Sequence, residues 1–245
     1  MYKETNSRIA NAIWLGALLL SLSAPRLGAC NLGRITTAGV ITEYPVPTPY
    51  SSPTSMTKGP DDALWFTEAS GQIGRITTAG VITEFAVPTP NSGPRGITSG
   101  PDGALWFTWT EFPNAGVGRI TTTGAITEYQ APITFGPFGD AEGNTSGPDR
   151  ALWFADTAGN VWRLTTAGVF TQYPIPIRPS GGGTGWITAG PDGALWFTVT
   201  CNQCAHDEIG RITTSGVIPM TGPRAGSQQD QTALSGPRLR ALSSA

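Results

Sequence analysis

An all-β chain of repeated four-stranded antiparallel sheets is predicted by three observations. Gly-Arg-Ile-Thr-Thr recurs with its arginine at 34, 75, 119 and 211, and Trp162-Arg163-Leu164-Thr165-Thr166 is an altered copy, so the spacings are 41, 44, 44 and 48 residues. Gly-Pro-Asp-x-Ala-Leu-Trp-Phe recurs with Trp65, Trp106, Trp153 and Trp196 and alternates with the first motif. The segments that carry these motifs are short β-branched and aromatic runs bounded by Gly, Pro, Asp or Thr, four to a unit. Four strands in a unit of this length make a propeller blade. The composition agrees: 32 Gly and 21 Pro without a Gly-X-Y period exclude collagen and supply turns. A net charge of −2 with 13% charged residues argues against a nucleic-acid partner.

The elements follow in order. Lys3 and Arg8 precede an apolar stretch from Ile9 to Leu22, too short for a membrane helix and of the length of a signal h-region. Leu27-Gly28-Ala29-Cys30 follows and is similar to a bacterial lipobox, which makes Cys30 the candidate for lipidation. Residues 1–32 therefore read as a leader and the expected location is the cell envelope or the exterior, with the cytoplasm as the alternative if the leader is a reading-frame artefact. Any membrane association rests on that lipid anchor alone. Residues 33–44 form a half unit, and complete units are expected over 53–86, 94–130, 137–174 and 184–219. Residues 220–245 are a degenerate half blade or a disordered tail, because 222–234 align without a gap on 93–105 but lack the Trp-Phe pair. Five-bladed closure and a truncated seven-bladed array both remain open.

Within a unit, Pro101-Asp102-Gly103 suits a tight turn, since Pro presets φ and Gly accepts a positive φ. A two-residue Ala38-Gly39 hairpin loop would set Arg34 opposite Glu43, Arg75 opposite Glu84, Arg119 opposite Glu128 and Arg163 opposite Gln172. That repeated pairing is expected to be scaffold, and it fails in the last copy, where Arg211 faces Met220. The four Leu-Trp-Phe tryptophans are expected to pack between adjacent blades.

The repeat resembles that of the virginiamycin B lyase, or streptogramin lyase, family. The likeness is fullest over 79–107 and extends over about 33–219. It implies a seven-bladed propeller that opens the ester of a cyclic depsipeptide antibiotic by magnesium-dependent β-elimination, with a histidine base and carboxylates that hold the metal. At the positions that match the family's histidines this chain carries Thr54, Arg95, Phe138 and Gly185. At the two carboxylate positions it carries Ser52, Gly93, Gly136 and Gly183, then Ala69, Thr110, Thr157 and Thr200. The base and both carboxylates are missing, and an arginine cannot replace the base because it stays protonated.

Departures from the repeat mark where a function could reside. Trp109 to Asn114 and Thr200 to Glu208 lengthen two loops on the face that opens beside the innermost strands. Arg95, Trp109, Phe138 and Trp186 would form a cationic and aromatic mouth for a small cyclic peptide or a glycan-like ligand. Glu68 and Asp156 stand at equivalent places and, with Glu208, are the candidate metal ligands. Cys201-x-x-Cys204-x-His206 holds the one histidine and reads as a local disulfide, a metal site or a relocated base at His206. Three functions follow: a monomeric binding or structural module without a cofactor; a magnesium-dependent C–O lyase that confers antibiotic resistance; and a fragment of a longer propeller.

Overall fold

The computed structural model describes residues 28, 30–111, 114–132, 143–175, 183–200 and 208–219. The residues before 28 that were expected to be a leader, Phe138, Cys201, Cys204, His206 and the residues from 220 on lie outside them. All regular structure in the described residues is β, and the chain divides into two compact units, 1–50 and 51–245. The first holds one hairpin, β1 (Asn31–Ile35) with β2 (Ile41–Pro45). The Asn31 amide donates to Glu43 across it at 3.1 Å.

The second unit holds four consecutive antiparallel meanders. The first blade comprises β3 (Pro53–Lys58), β4 (Leu64–Glu68), β5 (Gln72–Ile76) and β6 (Ile82–Ala86). The second comprises β7 (Pro94–Ser99), β8 (Leu105–Glu111), β9 (Asn114–Ile120) and β10 (Ile126–Gln130). The third comprises β11 (Asn144–Ser146), β12 (Leu152–Asp156), β13 (Asn160–Leu164) and β14 (Phe170–Pro174). The last has three described strands, β15 (Thr184–Ala189), β16 (Leu195–Val199) and β17 (Glu208–Ile212). The strand that opens each blade lies beside its counterpart in the next, and this succession of β-meanders is a propeller with incomplete blades. Cross-links join these inner strands: the Ser99 hydroxyl donates to the Lys58 carbonyl, and Ser146 Oγ to the Ser99 carbonyl at 2.6 Å.

The predicted register is corrected by one residue. Gly33, not Arg34, faces Glu43, and Arg34 faces Thr42; likewise Arg75 faces Thr83 and Arg119 faces Thr127. The reason is the loop. Thr36 N–H bonds the Val40 carbonyl at 3.0 Å and Gly39 N–H returns to the Thr36 carbonyl at 2.9 Å, with Gly39 at φ 80°. Three residues therefore span the turn, with glycine in the left-handed position.

Freed from that pairing, each arginine reaches the aspartate of its own Gly-Pro-Asp turn. Arg75, Arg119 and Arg163 donate Nε to Asp61, Asp102 and Asp149 at 2.6 Å, and Arg211 to Asp192 at 2.7 Å. The other oxygen of each aspartate accepts the indole N–H of Trp65, Trp106, Trp153 or Trp196 at 2.9–3.0 Å. The turn, the second strand and the third strand are locked by one carboxylate per blade. The preceding glycine is forced by this contact: a Cβ on Gly59, Gly100, Gly147 or Gly190 would lie 2.2–2.5 Å from the indole Cδ1.

Trp65, Trp106 and Trp153 pack between blades as expected, whereas Trp196 is 37% exposed. Trp65 and Ile73 lie against Ile97, Leu105, Phe107 and Ile120; Trp106 and Val117 against Leu152, Phe154 and Leu164; Trp153 and Val161 against Ile187, Leu195 and Phe197. Each ring also stacks on the aromatic residue of its own fourth strand, Phe85, Tyr129 or Tyr173, with centroids 5.5–5.6 Å apart. At about 25 cal/mol per Å² and 150–250 Å² for a large aromatic, each junction tryptophan contributes on the order of 4–6 kcal/mol before ordering entropy.

In the last blade Pro219 takes the place that threonine holds in the fourth strands of the other blades. The Thr77 N–H to Val81 carbonyl bond fixes the hairpin's parity, so Arg75 and Thr83 form a hydrogen-bonded pair. The last hairpin closes identically, Thr213 N–H to the Val217 carbonyl at 2.9 Å, which brings Pro219 to the place of Thr83. Proline has no N–H to give Arg211, so that rung lacks one hydrogen bond.

Candidate functional site

The strand opening a blade bulges in the first, second and last blades, between Pro53 and Met56, Pro94 and Ile97, and Thr184 and Ile187. In each case the threonine that follows Leu-Trp-Phe holds the bulge: Thr67, Thr108 and Thr198 Oγ1 accept from the N–H of Ser55, Gly96 and Trp186 at 3.0–3.1 Å. Bulges re-aim side chains next to sites. Here they bring Thr54, Ser55, Arg95 and Trp186, from β3, β7 and β15, around one open recess of about 190 Å³. Thr67 Oγ1 further donates to the Arg95 carbonyl at 2.5 Å, and Thr54 Oγ1 lies 2.9 Å from Thr67 Oγ1, so Arg95 is positioned from the neighbouring blade. The recess offers a guanidinium, two hydroxyls and an exposed indole face, a set suited to a carbonyl-rich or anionic ligand with a flat or cyclic body.

Arg95 and Trp186 are thus brought together as the sequence suggested, and Thr54 joins them. Trp109 is not at the mouth. The predicted loop of 109–114 is instead a longer ladder, in which β8 and β9 pair out to Glu111 and Asn114. This extension draws Trp109 into the core with Val87, Ile97 and Phe107. In the third blade Asn144 pairs with Phe154 as Met56 does with Phe66 and Ile97 with Phe107. The threonine pins were overlooked in the sequence, although the repeated Leu-Trp-Phe-Thr, broken at Ala155, carries their signal.

Glu68 and Asp156 occupy equivalent strand ends and are both fully buried, yet they differ chemically. Asp156 is saturated: its oxygens accept from the Asn160 N–H at 2.8 Å, the Asn160 amide at 2.9 and 3.1 Å, and the Trp162 indole at 2.7 Å. Glu68 has no donor in hydrogen-bonding geometry. Burial pushes its pKa from 4.5 to about 7; the nearby Ser51 hydroxyl lowers it, and the Glu84 charge raises it further. Glu208 opens β17 opposite Val199. No cluster of three His, Cys, Asp or Glu that could hold a metal occurs among the described residues. Asp156 already spends its oxygens on Asn160 and Trp162, and no group of three such candidate ligands surrounds Glu68 among the described residues, so the pair does not supply the charged oxygen array that a magnesium ion favours. Cys30 is a half-buried free thiol.

The Glu68 environment gives a stability prediction. Its folded pKa is raised, so its favourable contribution is complete below pH 4.5 and is lost as pH rises through about 7. Glu68→Gln should stabilise the protein by about 1–3 kcal/mol above pH 8 and leave it unchanged near pH 4. Urea titrations at the two pH values measure the difference, and equal effects at both would refute the assignment.

The family model of the virginiamycin B lyase family matches residues 22–143 and 109–225. Virginiamycin B lyase from Staphylococcus aureus is similar in structure, with 39% identity and a TM-score of 0.65 over 77% of this chain and 61% of that one. A catalytically inactive variant of that enzyme with quinupristin is 38% identical, TM-score 0.64, over 77% and 61%. A streptogramin B lyase structure is 36% identical, TM-score 0.63, over 77% and 60%. No curated protein matches the chain significantly. The matched part of this chain thus spans about three fifths of those structures.

Proposed function

Since the chain belongs to the virginiamycin B lyase family, we propose that it is a binding module on that family's propeller, without the lyase chemistry. The recess at Thr54, Ser55, Arg95 and Trp186 would take a small cyclic peptide or a glycan-like ligand, with Arg95 on its carbonyl or anionic groups and Trp186 against its flat face. One observation carries this reading: two positions where the family has its histidines are Thr54 and Arg95, and both line the recess. Neither group can take a proton from carbon near neutral pH. The carboxylates among the described residues supply no magnesium site that would acidify that proton, and no catalytic step is assigned to the metal.

The test uses a streptogramin B antibiotic with magnesium. The purified chain should leave the cyclic compound intact by mass spectrometry while binding it or a related depsipeptide, and Arg95→Ala should weaken that binding about tenfold or more. Turnover above the no-protein control would overturn the non-catalytic reading. If that turnover vanished in His206→Ala, it would establish the lyase alternative.

A further inference from the structure

We propose that Ser51, Glu68 and Gln72 form a buried site for one dehydrated monovalent cation of the size of sodium. All three residues belong to the second unit. Gln72 is the cross-strand partner of Glu68, and the Ser51 hydroxyl stands beside the Glu68 carboxylate. Ser51 and Glu68 are fully buried. Both carboxylate oxygens, the Gln72 amide oxygen and the Ser51 hydroxyl oxygen are shielded from solvent without a hydrogen-bond partner. Buried polar atoms are almost always partnered, and a buried charge needs a counter-charge.

The described residues do not provide that partner. The turn that follows Glu68 spends its N–H groups on carbonyls: Ala69 donates to Ser52, Ser70 to Ser51 and Gly71 to Glu68, at 3.0–3.2 Å. No Lys, Arg or His among them pairs with Glu68, and the charge that acts on it, that of Glu84, has the same sign. The third blade shows the closed form of this place, where the Asn160 N–H and amide both donate to Asp156 across the same rung. In the first blade the longer glutamate and glutamine do not close on each other. In the second blade the rung is Trp109 with Gly116, and in the last it is Val199 with Glu208, so neither repeats the carboxylate and amide pair. Carboxylate, amide and hydroxyl oxygens are the ligands of a hard cation. With one carboxylate in contact and two neutral oxygens, a single positive charge leaves the buried site balanced.

Urea titrations of the full chain at about pH 8, in sodium chloride and in choline chloride at equal ionic strength, test the site, since choline is too large to enter it. Sodium should raise the folding equilibrium constant with one-site saturation, by about tenfold at ten times its dissociation constant. Glu68→Gln relieves a buried charge in choline and therefore folds, and it should lose the response to sodium. Gln72→Leu removes one neutral ligand and should move the half-saturating sodium concentration up about tenfold. Equal stability in sodium and choline, a sodium response that persists in Glu68→Gln, or a response to calcium or magnesium with none to sodium would overturn the proposal.

Discussion

Trp162→Ala is expected to lower the unfolding free energy by about 4–5 kcal/mol, read from urea unfolding at neutral pH. Three other copies of the repeat have glycine at this place for a steric reason: a Cβ on Gly74, Gly118 or Gly210 would lie 2.0–2.2 Å from the phenylalanine ring of the adjacent strand. In the third blade the ring of Phe154 instead stacks on Trp162, with centroids 6.2 Å apart and planes within 6°, and Phe170 meets both edge-on. The indole N–H also satisfies buried Asp156 at 2.7 Å. Truncation therefore opens a large cavity and strips a donor from a buried carboxylate. Trp162→Phe separates the two effects: it retains the stack and loses only the bond, so its cost should be about 1.5–3 kcal/mol. A loss below about 1 kcal/mol for Trp162→Ala would mean that the interface between the second and third blades is not held there.

Asp149→Ala is expected to cost about 2–3 kcal/mol, because it removes one acceptor from two donors that remain partly buried, Trp153 Nε1 and Arg163 Nε. Burial by itself would raise the Asp149 pKa, but the hydrogen bonds from Trp153 and Arg163, with the Arg163 charge, outweigh it and hold the pKa below 3.8. A depressed folded pKa means that the contribution is complete above pH 3.8 and is lost as pH falls through the folded value. Asp149→Asn should therefore flatten the acid limb of the stability curve while costing less than alanine at pH 7. The corresponding change at Asp192 should cost less, since the Arg211 and Asp192 side chains are 30% and 36% exposed. An acid limb unchanged in Asp149→Asn would show that this turn does not couple to folding.

The repeat made the blades readable because a motif copied at fixed spacing needs a shared structural cause. The tryptophans, the turn aspartates and the boundaries of most strands could be placed from that repetition. Register could not. Ala38-Gly39 fits a two-residue loop as well as the observed three-residue one, and the choice moves Arg75 and Arg119 from a glutamate in the next strand to an aspartate in the preceding turn. The same limit explains Trp109, where two further rungs of ladder convert an expected surface aromatic into core. Thr54 and Arg95 were legible as site positions only through the family resemblance. Their convergence with Trp186 depends on bulges pinned by hydroxyls that come from another strand.

By itself the sequence determined the all-β class, the blade period and the family, and the resemblance pointed to Thr54, Arg95, Phe138 and Gly185 as the places of the family's histidines. Only the tertiary structure decided the fates of Glu68 and Asp156, which occupy the same place in the repeat. Asp156 has Asn160 and Trp162 as donors and is a structural anion; Glu68 has none in bonding geometry, so burial drives it toward neutrality. Local pattern fixes which groups recur, because strands and turns form from near neighbours. The protonation and availability of a buried group depend on atoms supplied from other strands, and no repeat spacing encodes those.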